Sequence, residues 1–163
     1  TPVALLNTHL HFDHIYGNKF ILETYGLKTY ASPKDQFFID TFIDQLNIFQ
    51  MPTDEPAPEI GTKIKEGDVI EIGSIKLQVI ETPGHSAGSV CFYAKEQNVC
   101  FTGDTIFKQS VGRTDFPTGS QREIMESITG KLLRLPDDTI LYPGHGESTD
   151  VAWEKLNNPY LEY

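Results

Sequence analysis

Cysteine is scarce in this chain. Cys91 and Cys100 are the only two among 163 residues, and each lies in an apolar setting, SVCFY and NVCFT. Their spacing fits no thiolate zinc motif, so they read as buried thiols, with a disulfide between neighbouring strands as the alternative. Long apolar runs are missing. Nothing approaches the roughly 18 residues that a membrane span needs, and the opening PVALL is too short, and lacks the basic flank, to be a signal peptide. Positive charge is also short: 13 Lys and Arg stand against 23 Asp and Glu, a formal net charge of −10. That balance disfavours nucleic acid and anionic membrane as partners. With no targeting signal, cytoplasm is the default location. Thr1 is not an initiator methionine, so the chain reads as processed or truncated.

Length and apolar content suit a single domain over residues 1–163. Val3–Asn7 reads as a buried strand, and His14 to Tyr25 as a helix closed by Gly26. Lys28–Ala31 is a second short strand. Ser32-Pro33 then opens a helix whose apolar face carries Phe38, Phe42 and Phe49. Phe37 and Ile48 broaden that face; core packing is the simpler role for them, a substrate wall the alternative. Met51–Gly61 is a proline-rich loop. Two hairpins follow, Val69–Ile72 with Ile75–Thr82 around Gly73-Ser74, and Val90–Ala94 with Val99–Thr102. Ser120–Leu135 is helical, Thr139–Tyr142 a strand, and Asp150–Asn157 a closing helix. The sum is a layered, mixed α/β fold.

The chain has five histidines, and three of them, His9, His11 and His14, fall within THLHFDH. His85 lies in TPGHSAG and His145 in YPGHGE, while Asp104 lies in FTGDT. Each group follows the carboxyl end of an expected strand. Imidazole and carboxylate without nearby cysteine point to zinc, iron or manganese. Alternate residues of an extended segment face one side, so His9 and His11 can grip one ion with His85. Asp13, His14 and His145 suit a second ion, with Asp104 bridging. Two divalent ions about 3.5–4 Å apart would bring water to hydroxide near neutral pH. Asp13 and Asp104 are the carboxylates placed for catalysis, Asp13 to orient the proton of the attacking hydroxide. Tyr142 and Thr105 are candidate supports behind the ligands. Arg113, in GRTDF, either binds a substrate carboxylate or pairs with Asp115.

THLHFDH, TPGHSAGS, FTGDTIF and YPGHGE resemble the successive metal motifs of the metallo-β-lactamase superfamily, from Leu6 to about Leu161. GDTIFKQSVGRTDFPTGS and the ending GHGESTDVAWEKLNNPYL resemble glyoxalase II-type hydrolases, in particular the short bacterial hydroxyacylglutathione hydrolase-like branch without a C-terminal helical domain. The resemblance implies an αββα sandwich, two metal ions, zinc first with iron or manganese as alternatives, and hydrolysis of a small-molecule thioester like S-lactoylglutathione by a metal-bridging hydroxide. Against that pattern the chain is expected to lack the N-terminal strands and helix, which would leave an open sheet edge where a second copy could pair. Too few residues follow His145 for a glutathione-holding domain, so the thiol carrier stays open.

Two other readings remain. A mononuclear iron persulfide dioxygenase shares the fold, and its two-histidine, one-carboxylate triad would be His9, His85 and Asp104. An inactive fragment that does not assemble the site is the other. True β-lactamases often carry cysteine where Asp104 stands, and the RNA-processing nucleases of the superfamily carry basic surfaces that are absent here.

Overall fold

The computed structural model describes residues 1–51 and 53–161. Two sheets lie between helices. The smaller holds β1 (Leu5–Leu6), β2 (Thr29–Ala31) and β3 (Thr62–Lys63), all parallel, in that spatial order. The larger contains β4 (Val69–Ile72), β5 (Ile75–Glu81), β6 (Val90–Ala94), β7 (Val99–Gly103), β10 (Ile140–Pro143) and β11 (Thr149–Asp150), ordered β11-β10-β7-β6-β5-β4. A small ribbon of β8 (Ile106–Phe107) and β9 (Ser110–Val111) projects from the end of β7. The helices are α1 (Phe12–Ile15), α2 (Asn18–Tyr25), α3 (Gln36–Asp40), α4 (Phe42–Ile48), α5 (Gln121–Gly130) and α6 (Val151–Asn157).

Three apolar clusters define the layers. Leu10, Ile15, Ala31, Phe38, Phe42 and Leu46 bind α1, α3 and α4 to the small sheet. Ile64, Leu77, Val79, Val90 and Phe92, with Leu6 and Tyr30 against them, fill the space between the sheets. Cys91, Cys100, Ile124, Ile128, Leu141 and Val151 join the large sheet to α5 and α6. Three interfaces make four layers, the expected αββα sandwich. Both cysteines are free and buried in the third interface.

Local signals account for most boundaries. Gly26 takes the left-handed conformation (φ 64°) that ends α2, and its N–H bonds the Leu22 carbonyl. Gly73 (φ 62°) allows the tight β4–β5 turn, where Ile72 pairs with Ile75. Ser120 and Asp150 cap α5 and α6 by accepting from Glu123 N and Trp153 N.

Several expectations need correction. The helix opened by Ser32-Pro33 is not continuous: a 3₁₀ turn at Pro33–Asp35 leads into α3, and α4 starts after Thr41. The Thr41 hydroxyl donates to the Phe37 carbonyl at 2.8 Å, a local bond that competes with a straight helix. The helix expected from His14 is likewise split at Tyr16-Gly17. Phe37 and Ile48 are not core residues; they are 44% and 77% exposed. The strands β3, β8, β9 and β11, each of two residues, were not foreseen.

Candidate metal centre

The strand ends converge. β7 and β10 are parallel neighbours with Gly103 opposite Pro143, and Gly144 N donates to the Gly103 carbonyl at 2.9 Å. Asp104 and His145 therefore leave the large sheet side by side. β5 delivers His85 at the same end, and Val90 N donates to the Thr8 carbonyl at 2.8 Å, fastening the end of β1 to β6. In His9-Leu10-His11 the side chains alternate as expected. Leu10 enters the helical core while His9 and His11 face the site, both buried.

His9, His11 and His85 bring one ring nitrogen each within 4.8 Å of the others, and a carboxylate oxygen of Asp13 and one ring nitrogen each of His14 and His145 form an equally close group. His9, His14 and Asp104 form a third such group that joins the two. Asp104 stands between: its Oδ2 lies 3.7 Å from His85 Nε2 and 3.4 Å from His145 Nε2, and its Oδ1 3.5 Å from His14 Nε2. His145 Nε2 is 3.2 Å from both Asp13 Oδ2 and His14 Nε2. All seven expected donors meet at one place.

The buried atoms test whether a metal fits. His9 Nε2, His11 Nε2, His85 Nε2 and Asp104 Oδ1 are buried with no hydrogen-bond partner. Buried polar atoms are normally satisfied, and four such acceptors within one cluster of donors are what divalent ions would satisfy. The proton on His85 is directed by its other nitrogen, since Nδ1 donates to the Arg113 carbonyl at 2.7 Å and leaves Nε2 a lone pair facing inward. His9 Nδ1 bonds the Thr8 hydroxyl at 3.1 Å.

Charge divides the site. Burial, then neighbouring imidazoles, push His9 well below the usual histidine range. Burial and then His85 lower His11 to about 4. Both rings are neutral and ready to donate lone pairs. Burial opposes charge on His14 and Asp104 as well, but their mutual attraction outweighs it, raising His14 and lowering Asp104.

Further residues hold this geometry. Asp35 is fully buried and accepts from Leu10 N (3.1 Å), Gly88 N (2.6 Å) and the Ser86 hydroxyl (2.8 Å). One carboxylate thus ties the His9/His11 loop to the His85 loop. Asn7 donates to the His14 carbonyl (3.1 Å) and accepts from Asn18 (2.9 Å), which anchors α1. Gly144 has no room for a side chain, because a Cβ there would strike Asp104 Oδ1 and the His14 ring. The Ser127 hydroxyl donates to the Pro83 carbonyl and Ser120 N to that of Gly84, so α5 supports the turn before His85. Buried Glu154 accepts from Gln109 N, Thr149 and Asn158, holding the β8–β9 ribbon. Thr105 is a support of this kind, hydrogen-bonded to Thr82 at 3.0 Å. Tyr142 is not; its ring stacks on Phe101. Of the two roles open to Arg113, substrate binding and pairing with Asp115, the pair is present, through two bonds of 3.0 and 2.8 Å.

The site opens into a cleft of about 780 Å³ lined by His11, Asp13, His85 and Asp104 on its floor and by α3, α4 and Phe116 on its walls. Residues 1–145 match the sequence profile of the Metallo-beta-lactamase superfamily. The chain belongs to that superfamily. Within it, this metallo-β-lactamase-fold chain is 34% identical over 159 residues to hydroxyacylglutathione hydrolase GloC of Haemophilus influenzae, covering 97% of this chain and 75% of that protein. A likeness at that level supports the glyoxalase II-like branch. Among solved structures it is similar to the BLEG-1 B3 metallo-beta-lactamase (35% identity, TM-score 0.88) and to TTHA1623 in a di-iron-bound form (33%, TM-score 0.89), each covering 99% of this chain and 78% of the other. ETHE1 from Myxococcus xanthus superposes with TM-score 0.76 at 28% identity, over 96% of this chain and 61% of that one.

Proposed function

We propose that this superfamily member is a metal-dependent hydrolase that cleaves a small-molecule thioester, with His9, His11 and His85 holding one divalent ion, Asp13, His14 and His145 a second, and Asp104 shared between them. The observation that carries this reading is the pair of donor groups joined by one carboxylate at the floor of an open cleft. The kinship with GloC supports the thioester as substrate. Bound ions supply an activated water and a Lewis acid for the carbonyl. The chain's own residues do the rest. The Arg113 carbonyl keeps His85 oriented, and Asp35 keeps its loop in register with His9 and His11. Asp13 lines the cleft, which supports a role for it in orienting a water proton. A thiolate leaves without a strong acid to protonate it. Zinc is the first metal to load; the di-iron form of TTHA1623 makes iron the second, with manganese third.

The test is thiol release from a panel of thioesters, S-lactoylglutathione included, by protein reconstituted with each metal. Turnover that vanishes on chelation and returns with metal is expected. No thiol release under any metal overturns the reading. The second reading is a mononuclear iron persulfide dioxygenase, for which His9, His85 and Asp104 provide two imidazoles and a carboxylate. Oxygen consumption with glutathione persulfide, at one iron per chain, would establish it instead.

A further inference from the structure

The cleft that leads to the donors has walls of one chemical kind. The run FFIDTFIDQLNIF sends Phe38, Phe42 and Leu46 into the core. It leaves Phe37, Ile48 and Phe49 at 44%, 77% and 51% exposure along the cleft. The facing wall comes from Phe107, Val111 and Phe116. This apolar surface begins at the donors themselves: the Phe116 ring lies edge-on to His11 and His85, with centroids 5.2 and 5.8 Å away. Apolar side chains left in water beside a functional site are stabilised by an apolar ligand.

Charge in the cleft points the same way. Asp13 and Asp104 belong to the donor set, so beyond the donors the cleft carries one acid, Asp44, and, among the described residues, Arg113 as its only lysine or arginine. Its guanidinium is already held by both oxygens of Asp115 and lies 4.3 Å above the Phe116 ring. Nearby Lys108 is paired with Glu147 at 2.7 Å. Away from the donors, a thiol carrier bearing carboxylates, as glutathione does, meets Asp44 and aromatic rings but no uncommitted cation.

Resting on the thioester reading above, we propose that this cleft selects thioesters by a long, uncharged, apolar arm and discriminates against anionic carriers of the glutathione type. Phe37, Ile48 and Phe49 are the specificity-determining wall. Each methylene buried there is expected to improve recognition by about fourfold.

Two measurements test this. The first is calorimetric binding of S-octyl-N-acetylcysteamine and S-octylglutathione, thioethers that share an apolar arm and cannot be hydrolysed. The uncharged ligand should bind at least about tenfold more tightly, and Ile48→Glu should weaken it about tenfold with melting temperature and metal content unchanged. Equal or tighter binding of the glutathione ligand overturns the proposal. The second is hydrolysis of acetyl, butyryl and octanoyl N-acetylcysteamine thioesters beside S-lactoylglutathione, where kcat/KM should rise at least about 100-fold from acetyl to octanoyl. A flat series, or S-lactoylglutathione as the fastest substrate, overturns the specificity while sustaining the hydrolase. Predicted binding with no thioester cleaved overturns the hydrolase and leaves the ligand class standing.

Discussion

The two donor groups are built differently. The group His9, His11 and His85 is entirely imidazole, wholly buried, and its Nε2 atoms have no protein partner. The group Asp13, His14 and His145 is half open to solvent, includes a carboxylate, and its members satisfy one another at 3.2–3.6 Å. Burial keeps His9 and His11 neutral, and the three Nε2 atoms are unpartnered, so an ion entering there displaces no hydrogen bond. An ion entering the second must break existing contacts and compete with protons. The difference teaches that burial and ligand type together can give one site two unlike halves.

The largest disturbance comes from the residue common to both halves. Asp104→Ala should lower metal content by at least one ion per chain and activity by roughly 10³-fold, since several kcal/mol of charge stabilisation depend on the ions it holds. Elemental analysis and thiol-release kinetics measure both. Asp35→Ala comes next. It strands the Leu10 and Gly88 N–H groups in the interior, at about 3 kcal/mol, which thermal unfolding should read as a melting temperature lower by roughly 6–12 °C. Because Asp35 acts only on the imidazole half, the ion held by His9, His11 and His85 should weaken more than the other.

Gly144→Ala is the converse probe. A methyl group there meets Asp104 Oδ1 and the His14 ring, so the Asp13/His14/His145 affinity should fall about 10–100-fold, while the imidazole half, reached only through Asp104, loses less. Competition with a chromophoric chelator resolves the two. Equal losses in both halves would erase the distinction. The smallest effect belongs to Arg113→Ala. The pair it breaks is exposed, and binding of S-octyl-N-acetylcysteamine by calorimetry should change less than about threefold.

Much of this arrangement was legible in the sequence. The donors announced themselves because each lies beside a strand end within a short Gly- or Pro-bearing motif, and hairpins with turns at Gly73 and Asn98 brought those ends into order. The supports were hidden, because their partners are remote: Asp35 reaches residues 51 and 53 positions away, and Glu154 one 45 away. Nothing in SPKD marks its acid as buried. The divided α3–α4 segment was obscured by an apolar pattern that runs through Thr41, and strands of two residues are too short to show a period. Phe37 and Ile48 share that pattern with true core residues, so only their exposure separates wall from core.

The unlike halves are tested most directly by counting bound metal while the pH of dialysed, metal-loaded protein is lowered from 8. His14 holds its proton more tightly than an ordinary histidine, so protons displace metal from its half first as pH falls. His9 and His11 hold theirs less tightly, His11 down to about 4, so the buried half should keep its ion to lower pH. The account predicts two ions per chain at the start and loss in two steps, the first leaving one ion behind. Loss of both in a single step, or one ion throughout, would contradict it.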